Sequence, residues 1–379
     1  MVVVLLSVAC GAATPVPARS SPIPSVSPTA VSSPSVGGPL LFAALEANGA
    51  NPVRPDTVVI AGLDGVARAT ATFQPVLPPP IGCLGTWLPP AAYVAAGMVF
   101  FADGNGMVRR LATSGGQAQA VTTFPISSQQ ILSFAVSPDG SKLLASVLTV
   151  PRMTSTDAAC TGAANIYTGN FGLDVFSAQA GGSPLLLYHQ DVPVGAPRQY
   201  PCILELAGWD QLGPVGVYPA CLGPGGGPVR YPGTVVRVDA ANGRVVNQVA
   251  DPQTCVVQDI ALNGDFVCDP PGVTADAIVR RPDGSEIWRF AAHPNAGYYY
   301  AFLSPDEQHV LARGFDAEVL GRDGTDLKLP QSLFFNGWLG SSAVITNLSN
   351  GNLAYATLQS PLTVTDLGFK GSFVGTVQT

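Results

Sequence analysis

The sequence predicts an all-β protein, on three observations. Gly (42) and Pro (35) make up roughly a fifth of the 379 residues, well above ordinary usage. Interior Gly destabilises a helix and Pro breaks it, and the longest stretch free of both runs only from Ile126 to Ser137, about the shortest useful length for a helix. Asp-Gly or Asn-Gly, dipeptides that tolerate the positive φ of tight hairpin turns, recur at Asp64, Asp103, Asp139, Asn242, Asn263, Asp283, Asp323 and Asn350. Short apolar or alternating runs flank them, as in Phe134 to Val147, Thr234 to Val249 and Ala277 to Phe290, so each unit reads as strand, turn, strand.

The elements follow in chain order. Met1 to Ala9 is an apolar run closing in small residues before Cys10, the layout of a secretory signal, and it is shorter than the ~18 residues a membrane span requires. Residues 11–39 are almost wholly Pro, Ser, Val, Ala and Thr, a composition that stays extended and builds no core. From residue 40 onward the hairpins recur at roughly 20-residue intervals, so that two make a four-stranded unit; this is the signature of a β-propeller. Dividing 40–379 gives seven blades of about 49 residues, with six or eight also fitting the length. They centre on 40–75, 91–124, 131–190, 202–250, 256–291, 298–329 and 333–368. The first shows three strands, Leu40–Ala47, Thr57–Ala61 and Val66–Phe73, and the last run, Ser372–Val377, is the candidate for its fourth. Such a pairing closes the ring and hides the sheet edges.

Two resemblances sharpen this reading. Ser137-Pro138-Asp139-Gly140-Ser141-Lys142-Leu143-Leu144-Ala145 and Ser304-Pro305-Asp306-Glu307-Gln308-His309-Val310-Leu311-Ala312 resemble the hairpin between the first two blade strands of bacterial TolB-like and WD40-like propellers. Gly208-Trp209 and Gly337-Trp338-Leu339 resemble their innermost strands. The segment ending in Cys10 resembles a bacterial lipoprotein signal, which implies a lipid on Cys10 and a folded domain tethered outside the cytoplasm; the alternative is an ordinary secretion signal.

Seven cysteines less Cys10 leave Cys83, Cys160, Cys202, Cys221, Cys255 and Cys268, an even number suited to three disulfides in an oxidising compartment. None forms a C-x-x-C pair. In a four-stranded meander the first-to-second and third-to-fourth turns share one end of the blade, and the second-to-third loops and crossovers share the other. The Asp-Gly and Asn-Gly turns fall mostly at the first end and all six cysteines at the second, together with the longest irregular stretches, 75–90, 151–170 and 214–233. The expected pairs are Cys202–Cys221, Cys255–Cys268 and, by remainder, Cys83–Cys160.

For function, a net charge of −7 without a basic cluster speaks against nucleic acid. There is no G-x-S-x-G elbow, and His189, His293 and His309 lack ligand spacing. Asp139, Asp283, Asp306 and Asp323 read as turn residues, and Asp103-Gly104-Asn105-Gly106 reads as a hairpin turn rather than a calcium loop. No catalytic, cofactor or metal site is therefore expected. The predicted function is a monomeric extracytoplasmic binding module for an envelope protein, peptide or glycan, with Trp87, Trp209 and Tyr299 as candidate binding-face aromatics. The alternative is a propeller-type glycan hydrolase or lyase with a central-channel site, for which Asp259 and Glu205 are the inner-strand candidates.

Overall fold

The computed structural model describes residues 40–48, 54–77, 79, 89–152, 169–192, 202–222, 228–229, 234–248, 256–261, 264–269, 276–281, 283–290, 300–313, 317–330, 332–359 and 361–377. Among them there is no helix; every regular element is a strand, and the strands form seven antiparallel sheets.

Blade 1 contains β1 (Leu41–Glu46), β2 (Asp56–Gly62) and β3 (Ala67–Phe73). Blade 2 is β4 (Ala92–Ala95), β5 (Met98–Ala102), β6 (Met107–Ala112) and β7 (Gln119–Thr123), and blade 3 is β8 (Gln130–Val136), β9 (Lys142–Thr149), β10 (Phe171–Gln179) and β11 (Leu185–Val192). Blade 4 has β12 (Cys202–Asp210), β13 (Gly213–Leu222), the two-residue β14 (Pro228–Val229), β15 (Thr234–Val238) and β16 (Val245–Gln248). Blade 5 is β17 (Val256–Ile260), β18 (Phe266–Asp269), β19 (Ala277–Arg280) and β20 (Glu286–Phe290); blade 6 is β21 (Tyr300–Leu303), β22 (His309–Arg313), β23 (Ala317–Gly321) and β24 (Asp326–Leu329). Blade 7 is β25 (Phe334–Leu339), β26 (Ala343–Asn347), β27 (Asn352–Thr357) and β28 (Val364–Lys370), and the chain ends in β29 (Ser372–Val377).

The last strand closes the ring. β29 pairs with β1, Leu41 opposite Val377 and Leu45 opposite Ser372, so blade 1 has the order β29-β1-β2-β3 with the C-terminal strand innermost. Gly371 permits the entry: its φ is +117°, and a Cβ there would collide with the Leu45 carbonyl, so only glycine fits without strain.

The apolar alternation of the strands is spent between blades. Leu339, Ala343 and Ile345 of blade 7 pack on Phe42, Ala44 and Ala61 of blade 1. Val99 and Phe101 of blade 2 join Val58 and Ile60 of blade 1, and Phe100 and Val108 of blade 2 join Phe134 and Leu143 of blade 3. Each sheet thus buries both faces against its neighbours, which explains why 47% of the residues are hydrophobic while only the rims and outer edges meet water.

The stretch 214–233, expected to be irregular, is corrected in part: residues up to Leu222 belong to the ten-residue strand β13. Its Pro219 lies where the pairing with β12 shifts, between Ile203 and Glu205, and past the last β15 partner, Tyr218. Proline is tolerated there because the ladder does not call on its missing N–H.

Candidate functional site

The meander gives the ring two chemically different rims. At one, tight turns join first to second strands and third to fourth strands. The β8–β9 and β21–β22 turns there share one hydrogen-bond design. Ser137 Oγ donates to Asp139 Oδ1 (2.6 Å) and accepts from Lys142 N (2.9 Å). Ser304 Oγ likewise donates to Asp306 Oδ1 (2.6 Å) and accepts from His309 N (2.9 Å). The Ser-Pro-Asp motif is therefore a turn device. The Ser137 and Ser141 donors hold the Asp139 carboxyl down at a pKa of about 2. Asp283 and Asp323 are lowered by the same kind of serine or threonine hydroxyl donor.

Two of the Asp-Gly and Asn-Gly turns named above lie at the other rim. Asp103-Gly104 joins β5 to β6 and Asn350-Gly351 joins β26 to β27, which are second-to-third connections at the opposite rim. Asp103 is nonetheless the turn residue foreseen, its Oδ1 accepting from Asn105 N and Met107 N at 3.0 and 3.1 Å.

The opposite, crossover rim carries the long connections, from Phe73 to Ala92 and from Thr149 to Phe171. Cys202 begins β12 there, directly opposite Cys221 of β13, and Cys268 lies near the end of β18, opposite Val257. The cysteines within strands thus share one rim. Cys10, Cys83, Cys160 and Cys255 lie outside the described residues, as do Trp87, Tyr299 and His293.

Trp209 is corrected. It lies opposite Pro214, beside the β12–β13 turn at the tight-turn rim, and packs against a core cluster of blades 3 and 4 that includes Leu206 and Val236. A strand's length separates it from Cys202, because a first strand begins at the crossover rim and ends at the other.

The inner strands are bound to one another. Tyr93 of β4 donates its hydroxyl to the Leu206 carbonyl of β12 at 2.9 Å, with Phe134 of β8 edge-on to its ring at 5.0 Å. Ser133 Oγ of β8 accepts from Leu206 N at 2.9 Å. One aromatic and one serine thereby tie three blades together along the axis side. Glu205, beside Leu206, is 2% exposed; Asp259 lies on β17. His309 is half-buried against Trp338 (6.1 Å between ring centres), and His189 is exposed with Nδ1 2.6 Å from Asp174 Oδ1. Among the described residues, no three His, Cys, Asp or Glu converge as a metal site.

A cleft opens at the crossover end between blades 1, 2 and 3. It encloses about 440 Å³ including its open mouth, lined by Asp56, Val76, Pro89, Pro90 and Ala91 with Ala102, Leu132 and Phe134 beneath. Asp56, at the start of β2, is 8% exposed. Its Oδ1 accepts from Asn48 N at 3.0 Å, and burial pushes its carboxyl above the ordinary value against the lowering effect of that bond. Nothing in the sequence marked Asp56 apart from the other acids.

No protein-family model and no curated protein sequence matches the chain. Among solved structures it is similar to an oligogalacturonate lyase in complex with manganese, at 9% identity over 85% of this chain and 91% of that one, with a TM-score of 0.52. It is also similar to BamB from Moraxella catarrhalis, at 11% identity over 82% of this chain and 81% of that one, with a TM-score of 0.37. The C-terminal WD40 domain of Sif2 matches at 12% identity over 76% of each chain, TM-score 0.39. At such identities likeness speaks to fold alone, and the seven antiparallel sheets make the chain a seven-bladed β-propeller.

Proposed function

We propose that this propeller is a non-enzymatic binding module held outside the cytoplasm, and that its crossover rim receives a protein, peptide or glycan of the cell envelope. The observation that carries the reading is the asymmetry of the rims: one is closed by short hydrogen-bonded turns, and the other bears the long connections, the strand cysteines and a cleft. Long segments set on rigid strands are the usual place for recognition. In this reading Cys202–Cys221, Cys255–Cys268 and Cys83–Cys160 staple that rim. The register of Cys202 opposite Cys221 supports the first of these pairs. The lipid on Cys10 and the 11–39 tether would hold a monomer clear of the membrane.

The second reading is a glycan hydrolase or lyase. The fold shared with the oligogalacturonate lyase and the buried Glu205 on an inner strand favour it.

The test is retention of the full chain on peptide and envelope-glycan arrays. Replacing Leu77 and Arg152, both at the crossover rim, with serine should weaken retention at least ten-fold, whereas Leu212→Ser, at the tight-turn rim, should not. Cleavage of an oligosaccharide without retention would transfer the case to the enzyme.

A further inference from the structure

The cleft at Asp56 has a chemistry of its own. Its described lining is apolar except for one carboxylate, and that carboxylate is 8% exposed. Among the described residues it accepts one hydrogen bond, from Asn48 N to Oδ1, and no charged neighbour or ion pair engages it. Burying a carboxylate without a counter-charge is costly, so the site gains from a cation that brings its own charge.

We infer that the cleft binds a small aliphatic ammonium ligand, its charged head on Asp56 and its hydrocarbon against Val76, Pro89, Leu132 and Phe134. Three alternatives fit less well. Calcium and magnesium require six or more oxygen ligands, and the described lining offers one carboxylate. A guanidinium favours a two-oxygen fork, and Oδ1 is already taken by Asn48 N. A neutral apolar ligand would leave the carboxylate without a partner. An ammonium is a compact point charge with three donors, one for the Asp56 carboxylate and the others left to solvent at the open mouth, and the proline and aliphatic walls accept the chain attached to it.

The inference rests on the crossover-rim reading and gives its ligand a charge. The Asn48 bond also holds the β1–β2 connection, where Asn48 Nδ2 donates to Pro55 O at 2.8 Å, so a variant at Asp56 must be shown to fold.

The experiment is saturation-transfer NMR on the full chain with isobutylammonium and its neutral analogue isobutanol. Isobutylammonium should bind saturably and isobutanol at least ten-fold more weakly. Asp56→Asn should weaken the ammonium at least ten-fold. Ala91→Leu, which narrows the cleft yet keeps the backbone bond from Ala102 N to Ala91 O at 2.9 Å, should do the same if Asp56→Asn fails to fold. Equal binding of the two probes, or ammonium binding untouched by the folded variants, would overturn the inference. In the wild-type chain, array retention without ammonium binding would remove the cleft and leave the rim reading standing; saturable ammonium binding without array retention would do the reverse.

Discussion

Arg237 of β15 grips Asp210 of β12 through both nitrogens, Nη1 to Oδ1 at 2.6 Å and Nη2 to Oδ2 at 2.7 Å. Their side chains are 12% and 9% exposed, so the pair sits in the wall of blade 4 across the intervening β13. A two-point bond at this depth fixes geometry as well as charge. Removing one partner leaves the other charge buried. Asp210→Ala should therefore cost about 3 kcal/mol or more in denaturant unfolding, while the double replacement Asp210→Leu with Arg237→Met should recover most of it. A loss below about 1 kcal/mol for the single variant would show the pair to be solvated.

Acid sensitivity should come from the turn aspartates. Asp139 is held at about 2 in the folded chain by Ser137 and Ser141, against an ordinary value of 3.8. A depressed carboxyl contributes stability above its unfolded value and loses it as pH falls through the folded one. The contribution of Asp139 should thus fade between about pH 4 and pH 2, and Asp139→Asn should flatten that part of a stability-against-pH curve. An unchanged slope would contradict the turn assignment.

His189 provides the opposite sign. The hydrogen bond to Asp174 raises its pKa above 6.5, so its small surface contribution is present below the unfolded value and fades as pH rises through the folded one. Its imidazole resonances should titrate above the ordinary range in wild type and return to it in Asp174→Asn. Identical titrations in the two proteins would break the pairing.

Ring closure depends on the six-residue C-terminal strand β29. Deleting everything after Lys370 removes β29, the buried Val377 and the Thr376 hydroxyl that accepts from Gly340 N at 3.1 Å. The melting temperature should fall by on the order of 10 °C, and Gly371→Ala should give a smaller drop through its strained entry. A truncated chain that melts like the whole would mean blade 1 stands on three strands.

Much of the architecture was legible because the signals were local. A Ser-Pro-Asp-Gly turn states its own hydrogen bonds, and Ser137 and Ser304 make the same ones in two blades. The short first blade likewise pointed to Ser372–Val377 as its missing strand. What a dipeptide does not encode is which turn of a meander it closes; hence Asp103-Gly104 and Asn350-Gly351 lie on the rim opposite to most of their kind. Trp209 failed for a related reason: Gly-Trp identifies an inner strand but not which end of it the ring occupies. Asp56 was silent in the sequence. Its character comes from Leu132 and Phe134, two blades away in the chain, and from the prolines at 89 and 90.

The most direct test is disulfide mapping of the protein isolated from its native envelope with free thiols blocked beforehand. Chymotryptic cleavage between Trp209 and Tyr218 separates Cys202 from Cys221, and the account predicts that the two fragments remain joined until reduced. Cys202 recovered as a blocked thiol, or joined to any cysteine other than Cys221, would contradict a stapled crossover rim.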